Sequence, residues 1–389
     1  MRLKLKRIFC LLFCFVLLCT TGCWDNKELD GLSIVTGVGI DASKDPGDLD
    51  LSFEIATVEN GSKKDGGGGG EAPYIIREAK NRFILGGMDS LRYGNSRELF
   101  LHHNQIIIFG SDIAKAGLKN YLDTFMRNTE TRMEVWVIVA KNDARSILST
   151  ETKQDKVTSV ALSRMIQNER QISTYSSTNM LQFTSRLVDR STAPVTLVVE
   201  RKEENGLQTL NFSGMAVFKD DVLVGIMDMY QMQGYILSMG KVNGGSVELL
   251  TKYGNANLSI TSSDCEKKII LGENNSITYQ LKIKTNLAVG ELQNFRSMSI
   301  NRVIDLLNAE AKKDLTTKIK ASFAESQRLQ SDIYGIGAHI HKYYPKQWKN
   351  LEGAWSAVYP TIQLELEVET NVNYSGKISE SLNMREGHE

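Results

Sequence analysis

Gln105-Ile106-Ile107-Ile108-Phe109, running into Gly110-Ser111-Asp112-Ile113-Ala114 and followed by Glu134-Val135-Trp136-Val137-Ile138-Val139-Ala140, decides the fold class. Both apolar runs are short and continuous, as in strands covered on both faces. Ser111 reads as the cap of a helix carrying Ile113, Ala114 and Leu118, and Tyr121, Leu122 and Phe125 continue on a second short helix. Asn142 reads as the cap of a helix that runs through Leu148. Strand, helix, strand, helix with apolar strands is a βαβ arrangement on a sheet with helices packed over it.

Upstream, Leu32 to Asp41 reads as a strand and Asp45-Pro46-Gly47-Asp48 as a turn. Leu49, Leu51, Phe53 and Ile55 then alternate with Asp50, Ser52, Glu54 and Ala56, the pattern of a half-buried strand returning as a hairpin. Gly66 to Gly70 is a surface loop; a phosphate-cradling loop needs Gly-Lys-Ser/Thr at a helix start, and Glu-Ala-Pro follows here. Arg77 to Arg92 is expected to be helical, with Phe83, Ile84, Met88 and Leu91 on one side.

Downstream, Val157–Gln171 and Thr178–Leu187 are expected as helices and Val195–Glu200 as a strand. Arg201 to Gly206 is a polar break and a candidate boundary. Beyond it, Gly214–Lys219 and Val222–Gly225 flank Asp220-Asp221 as a hairpin, and Met227–Met239 reads as a helix whose methionines fill core. Strands at 246–251, 257–261, 268–271 and 276–288 precede one long helical pattern, Ser299 to Gln330, with Val303, Ile304, Leu307, Leu315, Ile319 and Phe323 as its stripe. Ile362, Leu364, Leu366 and Val368 alternate with charged residues as a last strand. The fold class expected is α+β, multi-domain, with mixed sheets and flanking helices. The division expected is a leader at 1–22, an N-terminal α/β region at 23–200 with an internal boundary near 150–195, and a C-terminal α+β domain at 207–377.

The N-terminus carries a different signal. Arg2, Lys4, Lys6 and Arg7 precede an apolar run from Ile8 to Cys19, and Leu17-Leu18-Cys19-Thr20-Thr21-Gly22-Cys23 ends it. A basic segment, a short apolar core and a small-residue processing site ending on cysteine is a bacterial lipoprotein signal. The run of about a dozen residues is short of the roughly 20 a spanning helix needs. Cleavage before Cys23 would leave its thiol to carry a diacylglycerol, a stable anchor. The mature chain of about 367 residues exceeds one typical core, so two or three domains are expected. With four of the 46 basic residues in the leader and none of the 46 acids, the mature balance is −4, without the basic footprint of a nucleic-acid binder. Of the five cysteines, only Cys265 lies beyond Cys23, so no internal disulfide is expected.

The residues offer no reaction centre. The five histidines include the adjacent pair His102-His103, the pair His339 and His341 at a spacing that does not converge on a helix, and the tail residue His388. There is no His-Glu-x-x-His, paired Cys-x-x-Cys or Gly-x-Ser-x-Gly. No catalytic, cofactor-binding or metal site is expected, and Cys265 has no partner histidine near it in sequence.

Cys23-Trp24-Asp25-Asn26-Lys27-Glu28-Leu29 running into Ile34-Val35-Thr36-Gly37-Val38-Gly39-Ile40-Asp41 resembles the opening of the Ger(x)C lipoproteins, C subunits of nutrient germinant receptors in spore formers. Gly214 to Gly225, Asp332-Ile333-Tyr334-Gly335-Ile336-Gly337 and Tyr344-Pro345-Lys346-Gln347-Trp348 resemble later family segments in the family's order. The resemblance implies three α+β domains, no catalytic residues, and integral-membrane A and B subunits as partners in the spore inner membrane. It implies a lipid-anchored scaffold or coupling subunit on the extracytoplasmic face. A solute-binding lipoprotein of a transporter is the alternative; it would show two similar α/β lobes around a cleft. A cell-wall hydrolase would need an acid or metal constellation.

Overall fold

The computed structural model describes residues 31–57, 74–93, 97–151, 155–172, 176–189, 191–240, 242–273, 276–295 and 298–373. Cys23, the leader, the glycine run 66–70 and His388 lie outside them. In chain order the elements are β1 (Leu32–Ala42), β2 (Leu49–Ala56), β3 (Tyr74–Asn81), α1 (Ile84–Arg92), β4 (Glu98–Phe100), β5 (Ile106–Phe109), α2 (Ser111–Ala116), α3 (Lys119–Arg127), β6 (Trp136–Ala140), α4 (Ala144–Leu148), α5 (Thr158–Ile172), β7 (Thr178–Asn179), α6 (Met180–Val188), β8 (Val195–Glu204), β9 (Leu207–Lys219) and β10 (Val222–Asp228). Then come α7 (Met229–Met239), β11 (Ser246–Thr251), β12 (Gly254–Leu271), β13 (Ile277–Gln293), α8 (Ile300–Arg328), α9 (Ile336–Tyr343), α10 (Pro345–Leu351), α11 (Trp355–Val358) and β14 (Gln363–Asn373).

The architecture is mixed α/β on two sheets. A ten-stranded sheet has the path β10-β9-β8-β6-β5-β1-β2-β3, with β4 on β1 and β7 on β6; a four-stranded sheet runs β11-β12-β13-β14. Strands β1, β5, β6 and β8 are mutually parallel and form the centre of the large sheet. Their apolar runs split by alternation. Ile107, Phe109, Val137 and Val139 pack under α1, α2, α3 and α6, while Ile106, Ile108, Ile138 and Ala140 pack under α4 and α5. The second of these cores continues without a break through Met227 and Tyr235 to α8 and the small sheet. Along α8 the buried apolar residues Val303, Leu307, Ala311, Leu315, Ile319 and Phe323 recur every fourth position, one stripe of a 29-residue helix. Met227 and Met232 are fully buried, as core filler.

Three expectations are corrected. The helix expected over 77–92 is split: residues 74–81 pair along the whole of β2, and helix begins only at Ile84. Asn81 Oδ1 accepts the Phe83 N–H at 3.0 Å, an Asx turn that ends the strand. Cross-strand pairing here overrides the helical spacing. The strands expected at 257–261 and 268–271 are one 18-residue strand, because β13 pairs across the polar stretch between them. Residues 201–206, read as a polar break, are the tip of the β8–β9 hairpin. Asn205 and Gly206 both have positive φ, 53° and 73°, the two-residue turn that matches strand twist. Among the described residues no helix is long and apolar enough to cross a membrane.

Candidate functional site

The segment Thr36 to Asp41 builds the first polar site. A bulge between Val35 and Gly37 leaves Val38 and Ile40 in the core under α1 to α3, and turns Gly37, Gly39 and Asp41 to the other face. There they pair across β2 with Glu54, Ser52 and Asp50. Two helix N-termini land on this face. Asp41 accepts the N–H groups of Ala144 at 2.7 Å and Arg145 at 3.0 Å, at the start of α4. Glu54, wholly buried, accepts Thr158 N–H at 2.7 Å, Ser159 N–H at 3.0 Å and the Thr36 hydroxyl at 2.9 Å, at the start of α5. A helix N-terminus leaves such donors unpaired and carries a positive dipole end, so a carboxylate answers both needs. The glycines make the approach possible: a Cβ on Gly37 would sit 2.9 Å from both Leu148 Cδ2 and Ser159 Cβ. Burial pushes Asp41 up to about 6 against the pull of the Ala144 and Arg145 N–H groups. Burial also raises Glu54, opposed by Ser159, Thr36 and Thr158.

The second site is built by Asp332-Ile333-Tyr334-Gly335-Ile336-Gly337 and joins the large sheet to the C-terminal helices. The Asp332 carboxylate accepts Ile336 N–H at 3.1 Å and Gly337 N–H at 2.7 Å, capping α9. Its peptide carbonyl takes the Ala193 N–H at 2.8 Å, just ahead of β8, and Ser331 Oγ donates to the Phe218 carbonyl of β9 at 2.6 Å. Gly335 turns the chain at φ 70°, a left-handed conformation that suits glycine. A Cβ on Gly337 would meet Ser191 O at 2.8 Å and the rings of Trp355 and Trp348 at 2.9 and 3.0 Å. Trp348 is buried, with its ring edge-on to Trp355 at 5.2 Å. Tyr334 donates to Ser322 Oγ at 2.8 Å and packs against Tyr235, Tyr279 and Phe323. Burial raises Asp332 to about 6; the Gly337, Ile336 and Gly335 N–H groups oppose it. The Trp355 indole N–H lies beside the same carboxylate without hydrogen-bond geometry. An adjoining half-open cleft of about 70 Å³ is lined by Arg186, Asp189, Ser191, Asp332 and Trp355.

The remaining sequence candidates stay apart. Cys265 is half-buried in β12, its thiol pushed up to about 11 by burial. His102 stacks on Phe100 at 4.4 Å, His339 lies against Tyr343 at 4.6 Å, and His341 stacks over Trp348 at 5.7 Å. Among the described residues no group of three or more His, Cys, Asp or Glu side chains gathers to hold a metal ion. What the sequence missed is the trio Asp41, Glu54 and Asp332. Each binds backbone N–H groups at the start of a helix, and in the first two the partner lies about 100 residues away. The small residues Gly37 and Gly39 facing Glu54 and Ser52 were the available signal for a close-packed face.

Two family models match consecutive parts of the chain: a spore germination protein N-terminal domain over residues 25–201, and a spore germination B3/GerAC-like C-terminal domain over residues 213–376. Relatives in Bacillus subtilis include spore germination protein KC, 24% identical over 376 residues, with 91% of this chain and 92% of that protein aligned. Spore germination protein YndF is 21% identical, with 97% and 99% aligned. The crystal structure of the GerBC protein superposes with a TM-score of 0.57 at 15% identity, over 90% of this chain and 99% of that one, a likeness of fold.

Proposed function

Because the chain belongs to the GerAC-like family of spore germination proteins, we propose that it is the C subunit of a nutrient germinant receptor. In this reading it is a lipid-anchored scaffold that couples, by binding and not by turnover, to integral-membrane A and B subunits. Lipidation of Cys23 holds the body on the extracytoplasmic face of the spore inner membrane. The observation that carries the proposal is the family match along both halves of the chain, 25–201 and 213–376. The polar sites support it. The carboxylates of Asp41, Glu54 and Asp332 are engaged with helix N-termini, which is structural chemistry. Trp24 to Leu32 spans at most about 30 Å when extended, which keeps the body close to the bilayer.

The test is Cys23→Ala in the sporulating host. Uncleaved precursor or release of the body into the soluble fraction, with loss of co-purifying A and B subunits and of the germination response, is the expected result. Normal membrane retention with a normal response would overturn the anchor. Retention of the response without any co-purifying membrane subunit would overturn the coupling role.

A further inference from the structure

The strand directions place one surface beside the anchor. Strands β1, β5, β6 and β8 are parallel, and their registers align Gly37 with Ile106, Ile106 with Trp136, and Ile138 with Leu197. The start of β1 at Leu32 and the residues just ahead of β8, Ser191 to Ala193, therefore lie at the same end of the sheet. They are three strand spacings apart, about 14 Å. The chain enters β1 at this end from the segment that carries Cys23. The α9–α10 hairpin is fixed to the same end, through Ala193 N–H on the Asp332 carbonyl and Gly337 against the Ser191 carbonyl.

That hairpin has a distinct surface. From Ile333 to Leu351 it carries Lys342, Lys346 and Lys349 with His339 and His341, and no acid. All three lysines are exposed. Tyr343 and Tyr344 are exposed by 58% and 37%, and the Lys342 ammonium lies 5.1 Å from the centre of the Tyr343 ring. Tyr93 is 94% exposed at the end of α1, where Arg92 pairs at 2.7 Å with Glu98 of β4, the residue aligned with Leu32 at this same end. The acids at this end include Glu98 in its pair with Arg92, Glu134 just ahead of β6, and Asp189, Asp220, Asp221 and Glu352. Asp189 is bonded to Ser191, and Asp221 accepts the Lys119 N–H. Lysines with exposed tyrosines suit the boundary of an anionic bilayer, where ammonium groups meet phosphates and the rings sit at headgroup level.

We propose that the α9–α10 hairpin is a second membrane contact: it lies on an anionic lipid surface and orients the body with its tethered end down. The inference rests on the lipid-anchor reading. It adds that the anchor works with a basic, aromatic face, as single membrane signals commonly need a partner.

The test uses the full mature lipoprotein with vesicles of phosphatidylcholine, or of phosphatidylcholine with phosphatidylglycerol. Flotation with pure phosphatidylcholine reads the anchor alone. Hydrogen exchange of peptides covering 339–350 reads the face, at high lipid excess if the anchor fails. Protection is expected on the anionic vesicles only, and is expected to fade at high salt. The K342E/K346E/K349E variant, with an unchanged melting temperature, should lose it. At about fivefold per lysine, surface residence should fall by about a hundredfold or more. Equal exchange on both vesicles would overturn the proposal. So would protection that appears only when the A and B subunits are reconstituted too, since the face would then meet a protein. Failure to float with phosphatidylcholine, with protection retained on anionic vesicles, would sink the anchor and leave the face standing.

Discussion

Asp332→Asn tests the physical reading of the joint most directly. The Asp332 carboxyl is buried and raised from an ordinary 3.8 to about 6, with burial outweighing its backbone hydrogen bonds. Its folded value lies above its unfolded one. The folded state therefore binds the proton more tightly, and stability falls as pH rises from about 4 to about 6. The full effect is about 3 kcal/mol, at about 1.4 kcal/mol per tenfold change, and about 2 kcal/mol of it falls between pH 4.5 and 7.5. Asparagine has no charge to bury, so it removes this dependence. It keeps one acceptor for the Ile336 and Gly337 N–H groups and loses the other, a loss of about 1–3 kcal/mol that does not vary with pH. The assay is urea unfolding of the mature chain and the variant from pH 4.5 to 7.5. Asp41 and Glu54 titrate in the same direction in both proteins and cancel in the difference. The variant should gain about 2 kcal/mol on the parent across the window. A flat difference would refute the reasoning, because it would mean that the N–H bonds hold the carboxyl near its ordinary value.

Other substitutions probe the remaining contacts. Trp348→Ala should cost about 3–5 kcal/mol, since the ring is buried between Gly337 and Trp355; an unchanged unfolding midpoint with lost germination would instead make Trp348 a partner contact. Gly37→Ala should cost about 1–3 kcal/mol by thrusting a methyl group at Leu148 and Ser159, and wild-type stability would disprove the close approach of α4 and α5 to β1. Cys265, with its thiol pushed up to about 11, should react with iodoacetamide at pH 8 roughly a hundredfold more slowly than free cysteine, because the thiolate is the reactive form; labelling at the free rate would place that thiol in solvent.

Much of the element order was legible because its causes are local. The apolar runs at 106–109 and 136–140 and the i+4 stripe of α8 each carry their own period. The hairpin around Asp220-Asp221 did so too, and Asp220 takes the positive φ of its tight turn. The failures have non-local causes, with one exception. Residues 77–81 have an ambiguous pattern, and only a full-length partner in β2 makes them a strand. Asn205-Gly206 is the exception: a strong two-residue turn signal was present and was outweighed by the charges around it. In β2 the alternation read as one wet face, yet Ser52 and Glu54 are buried. What covers them is α4 and α5, whose positions depend on pairings about 100 residues distant. A sequence window that sees Glu54 as a solvent-facing residue cannot see the two N–H donors that make its burial tolerable.

The course of the core limits how the coupling subunit proposed here could act. One apolar cluster runs from Ile106 and Ile138 in the large sheet through Met227, Tyr235 and Phe323 to Val368 and Val372 in the small one. The joint between the sheets is filled by the buried aromatic rings of Tyr334, Tyr359, Trp348 and Trp355 and fixed by the Ala193–Asp332 and Ser331–Phe218 hydrogen bonds. Close-packed interiors do not bend continuously, and opening this joint would expose several large rings at once. A hinge between the sheets is therefore an expensive way to transmit a signal. A rigid body that tilts or shifts on its tether disturbs none of these contacts. Under the proposed lipid anchor, the responsive elements are then the short segment from Trp24 to Leu32 and the faces proposed to meet the membrane and the A and B subunits. Substitutions in the joint should then change stability first and germination only through it, whereas lengthening the segment after Asp30 should weaken the response of a body that stays fully folded.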